Sequence, residues 1–105
     1  MNLLQKINVN NQYIKYKIPF TYSSYLIKWL PNSKTEIHSH NGQECKFFIL
    51  KGNLVELRYL DGNLNTHIRH TIIKPLRMNH INDSMGLHRM LNLEKKIKWS
   101  IHHYY

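Results

Sequence analysis

The residues of this chain best suited to chemistry are His38-Ser39-His40 and, five positions further on, its single cysteine, Cys45. Side chains alternate along a strand, so two histidines at i and i+2 set both imidazoles on one face. Two ring nitrogens on one face are the start of a transition-metal site, because imidazole suits iron, copper, zinc and nickel. After the turn signal Asn41-Gly42, the segment Cys45–Leu50 reads as a strand whose parity sorts the two nearby candidates. Cys45, Phe47 and Ile49 share one face, and Glu44, Lys46 and Phe48 share the other. The first set is apolar or soft and the second carries two charges. Cys45 is therefore expected to point inward with the histidines, and Glu44 to sit on a solvated rim.

The elements that must position these residues are short and β-rich. Segments heavy in Ile, Tyr, Phe, Thr and Leu recur at Tyr13–Ile18, Tyr22–Leu30, Thr35–His40, Cys45–Leu50, Asn53–Leu60, Asn65–Ile73 and Lys98–Tyr104. Between them stand turn-forming clusters: Pro31-Asn32-Ser33, Asn41-Gly42, Lys51-Gly52-Asn53, Asp61-Gly62-Asn63 and Asn82-Asp83-Ser84. Asp61-Gly62 between two such runs is a hairpin signal. Residues 2–7 allow a short helix. Many short strands at this spacing predict an all-β fold, an antiparallel sandwich or small barrel.

Composition sets the outer limits. The 105 residues suffice for one core, so residues 1–105 are expected to form a single domain. No apolar run approaches the roughly 18 residues of a membrane-spanning helix, so no membrane association is expected. The first residues carry no signal-peptide pattern. A lone cysteine excludes an internal disulfide framework and fits a reducing compartment, so a cytoplasmic location is expected. The formal charge of +9 raises nucleic acid as a partner. The lysines are scattered and form no block or stripe, which argues against it. A monomer is expected.

Three stretches together resemble a known family. His38-x-His40, four residues, the inward Cys45 and then Gly52 is similar to the first motif of the cupins. In most cupins the Cys45 position holds a glutamate ligand. A cysteine there resembles one branch, the cysteine dioxygenases (thiol dioxygenases). Leu50-Lys51-Gly52-Asn53-Leu54 and Glu56 resemble that family's central hairpin, where Glu56 suits binding a neighbouring backbone group or charge. His80-Ile81-Asn82-Asp83-Ser84-Met85-Gly86-Leu87-His88-Arg89 resembles the segment bearing the family's third metal-binding histidine, which falls on His88. Ser100-Ile101-His102-His103-Tyr104 resembles the stretch whose serine, histidine and tyrosine surround the metal, and Trp29 stands where the family often has tryptophan. The resemblance runs from about Tyr13 to the last residue.

The resemblance implies a cupin-type antiparallel β-barrel or jelly roll that holds Fe(II) through His38, His40 and His88. Three neutral imidazoles replace the two-His-one-carboxylate set of other non-heme oxygenases, which leaves room for an anionic thiolate. The implied reaction joins cysteine, or a similar small thiol, to O2 and yields the sulfinic acid. Tyr104, His102, Ser100 and Cys45 are the implied catalytic residues, and Cys45 and Tyr104 are able to join in a thioether crosslink. Ser100, His102 and Tyr104 share one strand face, so a hydrogen-bonded row is available to them. His67, His70, His80 and His103 read as surface or packing histidines, and Trp29 and Trp99 as packing residues.

Two departures stand out. The family grips its substrate carboxylate with arginine in a Tyr-x-Arg strand, whereas this chain has Tyr13-Ile14-Lys15. Lysine keeps the charge and loses the two-pronged fork. Lys15 is the expected substrate-binding residue, with Lys17 second by parity, while Arg89 falls on the opposite face. Tyr104 also lies one residue from the end of the sequence, where strands fray. Two alternatives stay open: another metal cupin that uses Glu44 as a ligand, or a cupin that lost its chemistry and serves as a binding protein.

Overall fold

The computed structural model describes residues 4–37, 43–59, 68–81 and 87–105. Its described elements are all strands: β1 (Gln5–Val9), β2 (Tyr13–Lys17), β3 (Ser24–Trp29), β4 (Ser33–Lys34), β5 (Cys45–Lys51), β6 (Leu54–Tyr59), β7 (Ile68–Ile73), β8 (Asn79–Ile81), β9 (Leu87–Asn92) and β10 (Lys98–Tyr104). They form a six-stranded sheet in the order β1-β2-β3-β10-β5-β8 and a four-stranded sheet in the order β4-β9-β6-β7. Every recorded pairing is antiparallel. One core joins the inner faces of both sheets: Ile27, Trp29, Cys45, Phe47, Ile49 and Ile81 from the first meet Leu54, Ile73 and Met90 from the second. This is the double-sheet jelly-roll arrangement, and the sheets do not close into a barrel.

Alternation places the site. In β5 the residues Cys45, Phe47 and Ile49 are buried while Lys46 is exposed, as their parity requires. In β10 the inward set is Lys98, Ser100 and His102, so this central strand turns polar groups into the interior. The chain passes from one sheet to the other between Lys51 and Leu54. There Gly52 takes φ +81°, and a Cβ on it would stand 2.5 Å from Lys98 Nζ. Only glycine meets both conditions without strain.

Several elements depart from the sequence reading. Of the helix allowed over residues 2–7, residues 5–7 belong instead to the edge strand β1, because Asn10 turns the chain back: its Oδ1 accepts the N–H groups of Gln12 (2.8 Å) and Tyr13 (2.9 Å). The predicted strand Thr35–His40 is not one over Thr35–Ile37. Pairing with β9 occurs earlier, at Ser33 and Lys34, and Thr35 prolongs it through its side chain, whose Oγ1 accepts the Met90 N–H at 2.9 Å. Strands β6 and β7 pair antiparallel with Tyr59 opposite Ile68. The predicted Asp61-Gly62 turn lies outside the described residues. Strand β9 lacks a β-rich sequence; its pairing with β4 and β6 makes it a strand.

Candidate functional site

Four neighbouring strands of the larger sheet bring the site together by register. Tyr104 of β10 lies directly opposite Cys45 of β5, and His102 lies opposite Phe47. On the other side of β10, Ser100 faces Ile27 and His102 faces Tyr25 of β3. Lys15 of β2 then lies opposite Ile27. A cavity of about 750 Å³ opens on this face, and Lys15, Tyr25, Trp29, His88, His102 and Tyr104 are among its walls.

A hydrogen-bonded row fixes His102. The Trp29 indole N–H donates to Ser100 Oγ at 2.8 Å, and Ser100 Oγ is 2.8 Å from His102 Nε2. An indole nitrogen only donates, so Ser100 accepts from it, and its hydroxyl still has a proton and a second lone pair with which to bond Nε2. The other ring nitrogen, Nδ1, is 3.8 Å from Cys45 Sγ. Phe47 lies flat against the other side of this ring, with centroids 4.9 Å apart and planes within 7°. Trp29, read from sequence as packing, is therefore also the anchor of the row. Its signal was the shared face of Ser100 and His102, which called for a buried donor opposite.

Cys45 and Tyr104 are both uncharged at neutral pH. Burial pushes the Cys45 thiol up to about 12, against the opposing pull of the Lys15 charge. Burial also raises the Tyr104 hydroxyl well above its ordinary range, and the neighbouring sulfur adds to the rise. Tyr104 is not frayed. Its backbone N–H donates to Ser23 at 3.0 Å, and Tyr105 exchanges two 2.9 Å backbone hydrogen bonds with Glu44. The Tyr105 hydroxyl is also bonded to His80 Nε2 at 3.0 Å, so the last residues are fastened on two sides.

Lys15 rests on aromatic faces: Nζ lies 4.4 Å from the Tyr25 ring centre and 5.1 Å from that of Tyr104. Desolvation lowers its pKa, and the nearby Cys45 partly offsets this. Lys17, the second candidate, is turned aside. Its ammonium binds the Ile18 carbonyl and both oxygens of Thr21. Arg89 donates to the Thr35 carbonyl at 3.2 Å and is not among the cavity walls. Glu44 sits at the rim, 3.5 Å from His80.

On the smaller sheet His88 is buried in the cavity wall with its Nδ1 3.0 Å from Glu56 Oε2. The carboxylate only accepts, so Nδ1 carries a proton toward it, and in the neutral ring Nε2 is then the nitrogen with the lone pair that a metal needs. His88 thus fits a metal site in tautomer and chemistry. His38 and His40 lie outside the described residues, and among the described residues no three His, Cys, Asp or Glu gather as a ligand set. His70, His80 and His103 are exposed, and His103 Nδ1 is 2.8 Å from Ser24 Oγ. His67 lies outside the described residues. Sequence reasoning missed the role of Asn92, fully buried, whose amide donates to the Leu30 and Lys96 carbonyls and ties the end of β9 to the loops beside it. A polar residue at the inward parity of His88, just before a turn, was its signal.

A sequence model of the family described as cysteine dioxygenase type I matches residues 7–105. Comparison with curated protein sequences gives no match. Among solved structures, the chain is similar to the CENP-C cupin domain of Drosophila melanogaster, with 14% identity over 98% of this chain and 76% of that one and a TM-score of 0.75. It is also similar to the capsular polysaccharide assembling protein CapF of Staphylococcus aureus, with 17% identity over 99% of this chain and 28% of that one and a TM-score of 0.73. An oxalate oxidase in complex with glycolate shares 12% identity over 77% of this chain and 40% of that one, with a TM-score of 0.63. At such identities these likenesses speak for the cupin fold alone.

Proposed function

Since the chain belongs to the cysteine dioxygenase type I family, we propose that it is an iron-dependent thiol dioxygenase acting on cysteine or a similar small thiol. The observation that carries this reading is the convergence on one cavity of Lys15, His88, His102 and Tyr104, with Cys45 directly opposite Tyr104 across the β5–β10 pair. A cavity of this size matches small-molecule sites, which run about 300–1,000 Å³. Glu44 pairs with His80 at the rim, so the reading that makes it a metal ligand has no support from its position.

In this proposal His38, His40 and His88 hold Fe(II). When bound, the iron supplies the redox chemistry that lets a spin-paired sulfur react with triplet dioxygen. The overall change is RSH + O2 → RSO2H, with both oxygen atoms ending on sulfur. Lys15 holds the substrate carboxylate through its ammonium, and the faces of Tyr25 and Tyr104 keep that ammonium over the cavity. Tyr104 keeps its phenolic proton and offers it as a hydrogen-bond donor toward the substrate. Trp29 and Ser100 lock His102, so its Nδ1 stays directed at Cys45. The neutral Cys45 thiol does not compete with the substrate as an anionic ligand. The facing Cys45 and Tyr104 suit a thioether crosslink: one hydrogen leaves the thiol, one leaves the phenol ring, and O2 takes the two electrons and two protons.

The test is oxygen uptake by the iron-loaded full chain with L-cysteine and 3-mercaptopropionate, with products identified by mass spectrometry. One sulfinate per O2 consumed is expected, together with a fraction of protein lighter by two hydrogens that Cys45→Ser abolishes. A chain that binds added Fe(II) yet consumes no oxygen with any small thiol refutes the proposal.

A further inference from the structure

Glu56 is a buried acid that the reaction described above leaves without a task. It is 3% exposed on β6, and its two oxygens are divided between two partners. Oε2 accepts from His88 Nδ1 at 3.0 Å; Oε1 accepts from Arg58 Nε at 3.2 Å and Nη2 at 2.8 Å. The register explains the geometry. Arg58 stands directly opposite His88 across the β6–β9 pair, and Glu56 stands opposite Met90, so Glu56 reaches His88 along the diagonal. A carboxylate in the interior is costly unless paired and hydrogen-bonded. Here three N–H donors satisfy it, and rotating it would break both sets of bonds.

The consequence falls on His88. A free imidazole carries its proton on either nitrogen and turns about its bond to Cβ. Glu56 removes both freedoms, because an acceptor at Nδ1 fixes the proton there and sets the plane of the ring. We propose that Glu56 is a positioning residue for the metal centre: backed by Arg58, it holds His88 with Nε2 as the ligating atom. This rests on the reading of His88 as a metal ligand. Arg58 serves as more than a counter-charge, since its fork leaves the carboxylate a single orientation. Outer partners of this kind commonly tune metal affinity about 10–100-fold.

The experiment titrates the full chain with Co(II) and follows affinity and the visible ligand-field bands, neither of which depends on turnover. Three variants are compared: His88→Ala, Glu56→Ala, and the double variant Glu56→Leu/Arg58→Met. The double variant removes the buried acid and its half-buried partner together, a change interiors commonly tolerate, so it keeps the test open if Glu56→Ala does not fold. The expected result is a loss of Co(II) affinity of about 10–100-fold with altered bands in the folded Glu56 variants, and a loss at least as large in His88→Ala. A folded Glu56 variant with wild-type affinity and bands overturns the proposal while leaving the metal reading intact. Wild-type protein that binds no Co(II), or His88→Ala that binds it as well as wild type, overturns the metal reading itself.

Discussion

Ser100→Ala removes a single oxygen and strands two buried groups. Ser100 is fully buried, and its hydroxyl is 2.8 Å from Trp29 Nε1 on one side and 2.8 Å from His102 Nε2 on the other. A buried donor or acceptor left without a partner costs about 1–3 kcal/mol. The Trp29 indole is 1% exposed, so its N–H bears that cost in full. His102 lines the cavity, where water has access to it, and contributes less. The expected destabilisation is therefore about 2–3 kcal/mol, a large part of the roughly 5–15 kcal/mol that holds a domain folded. Urea denaturation followed by circular dichroism should show a lower midpoint with an unchanged slope, and the melting temperature should fall by about 10–20 °C. The companion Trp29→Phe removes the donor, so Ser100→Ala costs less in that background than in the wild type. The cycle closes with a coupling of about 1 kcal/mol or more. A Ser100→Ala protein within about 0.5 kcal/mol of wild type would refute the row as a structural element.

Two further perturbations test other parts of the site and its frame. Lys15→Arg restores a two-pronged donor while keeping a cation over the tyrosine faces, so KM for L-cysteine should fall about tenfold; an unchanged KM would mean the carboxylate is held elsewhere. Because burial depresses the Lys15 pKa, its hold on an anion is present at low pH and lost as pH rises through that lowered value. KM in wild type should thus climb on the alkaline side, a limb that Lys15→Arg removes from the accessible range. Gly52→Ala meets both a left-handed φ of +81° and the side chain of Lys98, which is buried and paired with Glu94 at 3.1 Å. The melting temperature should drop by the equivalent of about 1–3 kcal/mol, and an unchanged value would show that Lys98 moves aside freely.

What was legible in the sequence was whatever follows from period two. Once residues 45–50 and 98–104 are strands, alternation alone turns Cys45 inward and Glu44 outward, and groups Ser100, His102 and Tyr104 on one face. Parity gives the face of a residue but not its partner across the sheet, which depends on register. That Tyr104 faces Cys45, that Trp29 reaches Ser100, and that Arg58 stands across from His88 are facts of strand pairing between distant segments, and no local pattern encodes them. Glu56 shows the limit most plainly. It shares parity with buried Leu54, so a charge on an inward face already demanded an interior partner. The demand was readable, but the answer, His88, was not, because β9 has no strand-like sequence of its own and is held as a strand by its neighbours. The pairing that keeps Tyr104 from fraying was hidden for the same reason: position near the end of a sequence says nothing about pairing, and here Glu44 and His80 hold Tyr105. The rim residue that parity removed from the metal thus acquires a different task, fastening the strand end that carries Tyr104.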